Sequence, residues 1–260
     1  MKSSSLTGSL TSTLTMLAVI LGCCLAACTH TREFKKATPA VTAATDVQLA
    51  IEFLKEGKMT ESRDAIERAL GENPASANVQ MTAGLIYERL NDARKAEHAY
   101  STGYRLGKDD PNIQNNYAGY LCRSGRAPEG EKLFAQVAHS PLYQTPEVAL
   151  INAGVCVRST GDMVDAEKYF NQALAIRPNM PEAMLQLGNI ALDNGDAAQA
   201  REIVQRYLAV NVPTAEVLWL GVRAERKLGD SAAAAAYARR VQSEFPDSEQ
   251  AKMMRSGIER

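Results

Sequence analysis

The sequence is poor in aromatic residues and has almost no net charge. Only 6% of its 260 residues are Phe, Trp or Tyr, Trp219 is the single tryptophan, and the formal net charge is −1. Proteins that bind nucleic acid use clustered lysines and arginines to contact phosphates, so this balance gives no reason to expect a nucleic-acid partner. A chain with few aromatic residues and many alanines favours closely packed helices over a β-sandwich.

The sequence also lacks the residue patterns that carry catalysis or metal binding. None of its three histidines, His30, His98 and His139, has a Cys, Asp or Glu at metal-ligand spacing. The spacings of the G-x-S-x-G nucleophile turn, the Walker phosphate loop and the dinucleotide-binding fingerprint do not occur. We therefore predict that the protein is not an enzyme, with no catalytic residue, metal, cofactor or small-molecule substrate.

The chain does begin with a targeting segment. Residues 14–27 are almost wholly apolar and follow a short polar stretch that contains Lys2. A helix of this length spans about 21 Å, which is too short to cross a bilayer, so residues 1–27 are predicted to be a signal peptide. The segment ends in Leu-Ala-Ala followed by Cys28, which resembles the bacterial lipobox.

The lipobox resemblance implies lipidation at Cys28 and cleavage just before it. Residue 29 is Thr rather than the Asp that retains lipoproteins in the inner membrane, which implies a lipid anchor at the periplasmic face of the outer membrane. The alternative is an ordinary secretory signal with incidental cysteines, of which Cys23 ends a poorer lipobox. Residues 28–42 are polar, contain Pro39 and have no apolar period, so they predict a lipidated tether that reaches about 20 Å.

The remainder is organised by a repeat of 34 residues, seen most clearly at residues 147–180. Small residues at repeat position 8 recur at spacings of 34, 34, 36, 34 and 33, and a bulky residue at position 24 keeps the same register. Glycine, or Asn91 in the second unit, marks a tight turn after each first helix. This is the tetratricopeptide (TPR) pattern of two antiparallel helices whose apolar faces are buried only by stacking. The residues at position 8 are Ala50, Gly84, Ala118, Gly154, Gly188 and Gly221, and those at position 24 are Ile66, Tyr100, Phe134, Phe170, Val204 and Tyr237.

We therefore predict an all-α fold, a superhelical array of six TPR helix-turn-helix repeats. The repeats are expected over residues 43–76, 77–110, 111–144, 147–180, 181–213 and 214–247. Residues 248–260 are expected to form a short polar helix that caps the array.

The first helices of such an array line its concave surface, mainly through repeat positions 2, 5, 9 and 12 by resemblance to other TPR proteins. Nine of the twelve residues at positions 5 and 9 are apolar here. Two interpretations stay open: an apolar groove for a partner helix or strand, or side chains that are half-buried in the core. The stripe is broken at Asn115, Asn116 and Gly119, which would admit a partner's backbone. The groove candidates are Val47, Ile51, Met81, Leu85, Asn115, Gly119, Ile151, Val155, Leu185, Asn189, Leu218 and Val222.

Two cysteines remain in the mature chain if Cys28 is lipidated. Cys122 and Cys156 both come late in the first helices of adjacent repeats, which pack side by side. In an oxidising compartment this placement predicts a disulfide, with two buried thiols as the alternative.

Three central segments carry a more specific resemblance. Residues 115–122 (NNYAGYLC), 141–146 (PLYQTP) and 152–156 (NAGVC) resemble the type IV pilus biogenesis and stability lipoproteins called PilF or PilW. Ala118 and Tyr120 depart from that pattern, where a Gly and a Phe are expected. The resemblance implies an outer-membrane lipoprotein of six TPRs whose central cysteine pair matches the family's. It also implies a pilotin, whose partner is the secretin subunit PilQ, which it brings to the outer membrane and helps to multimerise.

The segment between repeats three and four is predicted to be an ordered loop. Pro141 and Pro146 restrict the residues before them, so the segment cannot form a continuous helix. Tyr143 is then either packed under the loop or offered to a partner.

Two other functions fit a lipid-anchored repeat protein without catalytic residues. One is an adaptor that docks peptidoglycan hydrolases or a protease. The other is a subunit of the machinery that inserts β-barrels into the outer membrane.

Overall fold

The computed structural model describes residues 38–256, and all regular structure in that range is helical. The prediction of an all-α repeat array is confirmed. The predicted signal peptide, Cys28, most of the tether and the last four residues of the chain lie outside the described residues. The helices are α1 Pro39–Lys55, α2 Met59–Glu72, α3 Ala77–Arg89, α4 Ala93–Leu106, α5 Pro111–Arg123, α6 Ala127–Ala138, α7 Pro146–Arg158, α8 Met163–Ile176, α9 Pro181–Asp193, α10 Ala197–Val210, α11 Ala215–Leu228, α12 Ser231–Glu244 and α13 Glu249–Ser256.

The first twelve helices form six antiparallel pairs, from α1 with α2 to α11 with α12, and each pair turns at a residue with positive φ. Asn91 has a φ of 58°, and glycines occupy the equivalent place in the other five turns, for example Gly161 with a φ of 92°. This left-handed conformation ends the first helix and reverses the chain, and glycine adopts it without a Cβ clash. The predicted turn positions are confirmed.

The helix α1 begins at Pro39, four residues before the predicted start of the first repeat at residue 43. The tether prediction was therefore wrong over its last four residues. Proline suits the first turn of a helix because its φ is already helical and that turn needs no N–H from it. The amides of Val41 and Thr42 donate to the Thr38 carbonyl at 2.9 and 3.0 Å, which closes the turn. The proline was therefore a better indicator of where this helix begins than the missing apolar period was.

Small residues at position 8 let the two helices of a repeat approach each other. A Cβ added to Gly84 would lie 2.7 Å from the Tyr100 ring, and one added to Gly154 would lie 2.7 Å from the Phe170 ring. In these two repeats the bulky residue of position 24 therefore packs directly on the glycine of position 8. Tyr100 also stacks on Tyr120 of the next repeat, with ring centroids 4.3 Å apart. One residue at position 24 thus joins packing within a repeat to packing between repeats.

The core continues along the array and is closed at its end by α13. This helix packs on α11 and α12, Ala251 is fully buried, and the Ser248 hydroxyl accepts a hydrogen bond from the Ala251 amide at 3.1 Å. The helix covers the apolar face that a seventh repeat would otherwise bury. Among the helices between residues 38 and 256, none has the length and apolar character needed to cross a membrane.

The loop between α6 and α7 is held in place by Tyr143. This side chain is only 9% exposed and packs with Val137 and Ala149. Of the two interpretations of Tyr143, packing under the loop is the one observed. Its neighbour Leu142 is 68% exposed at the tip of the loop.

Candidate functional site

A cavity of about 820 Å³ opens between the first helices of repeats two, three and four. We call it the central cavity. Its walls come from α3, α5 and α7, because each first helix turns the face that carries positions 5 and 9 towards the same side of the array. Five of the predicted groove residues line it: Met81, Leu85, Asn115, Gly119 and Val155.

Both outer walls of the central cavity carry apolar side chains beside polar ones, such as Thr82 on α3 and Ser159 just after α7. Leu85, which is partly exposed, and the core residue Met81, which is only 4% exposed, come from α3, and Val155, which is 43% exposed, comes from α7. The Phe134 ring of α6 closes the cavity behind Gly119, where an added Cβ would lie 3.8 Å from the ring. An exposed aliphatic side chain at the mouth of a cavity gives a ligand an apolar contact that solvent does not satisfy.

Side-chain amides occupy the middle of the cavity. Asn115 and Asn116 lie on α5 and Asn152 lies on α7. The Asn152 Nδ2 donates to the Asn115 Oδ1 at 3.2 Å, so the two helices are linked across the cavity floor. The Asn115 amide nitrogen and the Asn152 carbonyl oxygen are not used in that bond. These groups provide hydrogen-bond donors and acceptors without charge.

A partly exposed ion pair forms the remaining polar wall, with the Arg123 side chain 51% exposed and the Glu88 side chain 25% exposed. The guanidinium of Arg123 donates to the two carboxylate oxygens of Glu88 at 2.7 and 3.0 Å, and the Tyr100 hydroxyl donates to the same carboxylate at 3.0 Å. Burial raises the pKa of Glu88, but the hydrogen bond and the charge of Arg123 outweigh burial, so the pKa of Glu88 is lowered. Burial, followed by the Glu88 charge, raises the pKa of Tyr100 above its ordinary value. The wall is therefore a paired, charge-balanced group at neutral pH.

The structure joins Cys122 to Cys156. The two sulfurs lie 1.98 Å apart and the two Cα atoms 5.5 Å apart, which ties α5 to α7 beside the cavity. Both cysteines line the cavity, with Cys156 buried and Cys122 partly exposed. The close approach of α6 behind them depends on Gly130, since a Cβ there would lie 2.7 Å from the Ala118 carbonyl oxygen.

Three of the predicted groove residues belong to the core instead. Ile151 is 6% exposed, and Leu218 and Val222 are completely buried. The groove prediction was wrong at these positions, because neighbouring helices of the array enclose all three side chains. Of the two interpretations left open by the sequence, core packing applies here.

The other four candidates lie outside the central cavity and are partly buried: Val47, Ile51, Leu185 and Asn189. Val47 and Leu185 pack against the core. The Asn189 Oδ1 accepts a hydrogen bond from Arg223 at 3.1 Å, and its Nδ2 donates to the Leu185 carbonyl at 3.0 Å. This asparagine is therefore committed to contacts within the protein.

Polar side chains bridge the first helices of the later repeats. Arg158 on α7 donates to Gln186 at 2.6 Å and to Asp193 at 3.2 Å on α9, and Lys227 on α11 donates to the Leu192 carbonyl at 2.8 Å. Polar contacts therefore join adjacent first helices along the array, both in these later repeats and around the central cavity.

The cavity is also lined by Tyr100, Arg123 and Asn152, which were not among the groove residues predicted from repeat positions 5 and 9. Arg123 follows Gly119 by four residues on α5, and residues four apart lie on the same helix face. That spacing could have identified it. Tyr100 comes from a second helix, which positions 5 and 9 leave out.

Among the residues of the described range, no group of three or more His, Cys, Asp and Glu side chains could hold a metal ion.

Comparison with known proteins agrees with the repeats. Tetratricopeptide repeat profiles match residues 47–111, 120–181, 158–224 and 216–248. The chain is 21% identical over 202 residues to the type IV pilus assembly protein PilF of Pseudomonas aeruginosa, across 78% of this chain and 80% of that protein.

Two solved structures share the architecture over nearly their whole length. The crystal structure of PilW, described as a widely conserved type IV pilus biogenesis factor, is 29% identical with a TM-score of 0.69, covering 82% of this chain and 97% of that one. The structure of Pseudomonas aeruginosa PilF is 19% identical with a TM-score of 0.64, covering 83% and 97%. The chain therefore belongs to the tetratricopeptide repeat family and is homologous to the pilus assembly protein PilF.

Proposed function

We propose that this protein is an outer-membrane lipoprotein of type IV pilus biogenesis that acts as a pilotin for secretin subunits. The observation that carries the proposal is the homology to PilF across 78% of the chain, together with a fold that covers 97% of PilW. Both relatives are named for type IV pilus assembly or biogenesis. The secretin as partner, the lipid anchor and the outer membrane come from the sequence resemblance.

The mechanism requires binding and placement but no chemical step. The lipid on Cys28 anchors the protein in the outer membrane, and the tether holds the array close to the periplasmic face of that membrane. The array binds a secretin subunit at the central cavity, where Leu85, Val155 and uncharged amides are accessible. Bringing subunits to one surface raises their effective concentration for ring assembly.

A deletion strain complemented with the wild-type gene tests this proposal. We expect loss of secretin multimers on semi-denaturing gels and loss of surface pili, with both restored by complementation. Intact secretin rings in the deletion strain would contradict the proposal. Altered cell-wall turnover with intact rings would favour a hydrolase adaptor, and a general loss of outer-membrane proteins would favour a role in β-barrel insertion.

The lipid anchor has a separate test with a matched control. Replacing Cys28 with Ser should move the protein from the outer-membrane fraction to the soluble periplasmic fraction, whereas Cys23→Ser should leave it in place. A Cys28→Ser protein that stays in the outer membrane would show that the anchor does not determine its location.

A further inference from the structure

Exposed apolar side chains lie in a row along one edge of the array. At this edge each second helix ends and the next first helix begins. Leu142, Ile176 and Val210 occur here at intervals of 34 residues and are 68%, 48% and 49% exposed. Val212, two residues after the end of α10, is 83% exposed. Exposed apolar residues that occur singly need no explanation, but four that follow the repeats form a surface. We call these four residues the apolar edge.

The apolar edge carries little charge. The three connections that form it contain a single Lys, Arg, Asp or Glu, and they are residues 139–145, 177–180 and 211–214. The charged residue is Arg177, whose guanidinium donates to the buried carboxylate of Glu147 at 3.0 Å, so its charge is balanced. Several charged residues at 107–110 on one side and at 244–249 on the other mark the limits of this surface.

The opposite edge, where each repeat turns back on itself, has a different character. An exposed aspartate in each of the turns before α8, α10 and α12 accepts a hydrogen bond from a backbone amide of the following helix: Asp162, Asp196 and Asp230. Moving such a carboxylate out of water is costly. An apolar surrounding therefore suits the apolar edge and does not suit the opposite one.

The chain enters the array at the same edge as the exposed apolar residues. The helix α1 begins at Pro39, at the edge where all the first helices of the repeats begin. Thr38 lies ten residues after Cys28, a distance of at most about 35 Å even for a fully extended chain. The helices of the repeats are about 20 Å long, so the opposite edge lies farther from the point of attachment by that amount. The apolar edge is therefore the one that a lipid on Cys28 holds nearest to the membrane.

We propose that the apolar edge rests on the phospholipid surface of the membrane that holds the lipid anchor. This inference rests on the proposed function for the anchor at Cys28, and it adds a second attachment through repeats three to five. A few aliphatic side chains bind a bilayer weakly, but the anchor raises their effective concentration at its surface. The two attachments together fix the orientation of the array. Its helices stand steeply on the membrane, and the turns with the aspartates point away from it.

Quenching of a fluorescent dye by lipids tests this contact. The full-length protein is reconstituted in vesicles of phosphatidylethanolamine and phosphatidylglycerol, with an environment-sensitive dye on one added cysteine. Cys122 and Cys156 are bonded to each other and the lipid occupies the sulfur of Cys28, so the added thiol is the one that the dye labels.

Lipids that carry a nitroxide on an acyl chain should quench the dye at Leu142→Cys, Ile176→Cys and Val212→Cys. The matched control is Val164→Cys. Val164 is 67% exposed, as Leu142 is 68% exposed, but it lies at the start of α8 on the opposite edge and its dye should not be quenched.

Charged substitutions test the physical cause of the contact. Leu142→Asp together with Ile176→Asp should lower the quenching of a dye at Val212→Cys to the level of the Val164 control, because carboxylates oppose insertion among lipids. Val164→Asp should leave that quenching unchanged. Circular dichroism melts should show that these variants are folded, since all three side chains are exposed.

The outcomes separate this inference from the proposed function. If the protein floats with the vesicles but the dyes at the apolar edge are quenched no more than the control, or quenching survives the two aspartates, the edge contact is wrong and the anchor stands. If the protein does not float with the vesicles, the anchor is wrong and this inference fails with it. Dye emission that shifts to shorter wavelength without quenching would mean that a second copy of the chain covers the edge, which also overturns the inference. The pilotin function is judged separately by the secretin multimers of the deletion strain.

Discussion

Adding a single methyl group at Gly154 tests the packing that defines each repeat. The Cβ of alanine would lie 2.7, 2.8 and 3.0 Å from three carbons of the Phe170 ring, which is completely buried. The ring would have to retreat by about 0.7 Å to reach ordinary van der Waals contact, and a well-packed core resists such a shift. Overpacking costs about 1–3 kcal/mol, and the gain in helix propensity offsets about 0.5–1 kcal/mol of it. We expect a net loss of about 1–2 kcal/mol of unfolding free energy.

The matched control is Gly71→Ala in α2, where an added Cβ has nothing within 4 Å. There only the propensity gain remains, so the protein should become more stable by about 0.5 kcal/mol. Thermal unfolding followed by circular dichroism measures both, and Gly154→Ala should lower the Tm by about 3–6 °C. If both variants shift the Tm in the same direction, or Gly154→Ala leaves it unchanged, the close contact at position 8 does not hold the two helices together.

Three further substitutions probe the covalent, ionic and pH-dependent contacts. Replacing Cys122 and Cys156 with Ala frees a loop of 34 residues and should lower the unfolding free energy by about 3.8 kcal/mol on chain-entropy grounds, seen by comparing melts with and without reductant. Arg201→Met should lower the midpoint of urea unfolding, because it leaves the carboxylate of Glu225, whose side chain is 4% exposed, without its partner. Burial raises the pKa of Glu88, yet the hydrogen bond and charge of its arginine partner on α5 lower it overall. The stability from that pair is therefore complete above the ordinary glutamate pKa of about 4.3 and is lost as the pH falls through the lowered value. Glu88→Gln should remove this acid-side loss in melts recorded as a function of pH, and an unchanged pH profile would refute it.

The sequence predicted the array well because its information is local and repeated. Gly57 and Asn91 sit where only a left-handed residue closes the turn, so one turn predicts the next. The sequence was less informative about which residues of a first helix remain exposed. Leu218 and Ile151 occupy the same repeat position as Asn115, yet both are core residues, whereas Asn115 lines the cavity. Burial at this position depends on contacts with the neighbouring repeats, which no single repeat encodes.

The contacts across the cavity could be found only by comparing adjacent repeats. The Arg123–Glu88 pair spans 35 residues and the Asn152–Asn115 pair spans 37. Both separations are close to one repeat length, so a search for complementary residues one repeat apart would have identified them. The start of α1 at Pro39 was missed for another reason: the signal was a proline in the first turn of the helix, and the apolar pattern does not extend that far.

The bond between Cys122 and Cys156 also determines how the array would respond to a pulling force. In a stack of repeats under tension, each unit that opens lengthens the chain. The residues between the two sulfurs cannot contribute to that extension, because the load passes through the disulfide instead of through the 34-residue segment that it bypasses. At about 3.4 Å per extended residue, roughly 115 Å of contour length stays withheld. A partner that pulls on one end of the protein could open the outer repeats. The disulfide would still hold α5 and α7 together, so the part of the central cavity that they form would not be pulled apart.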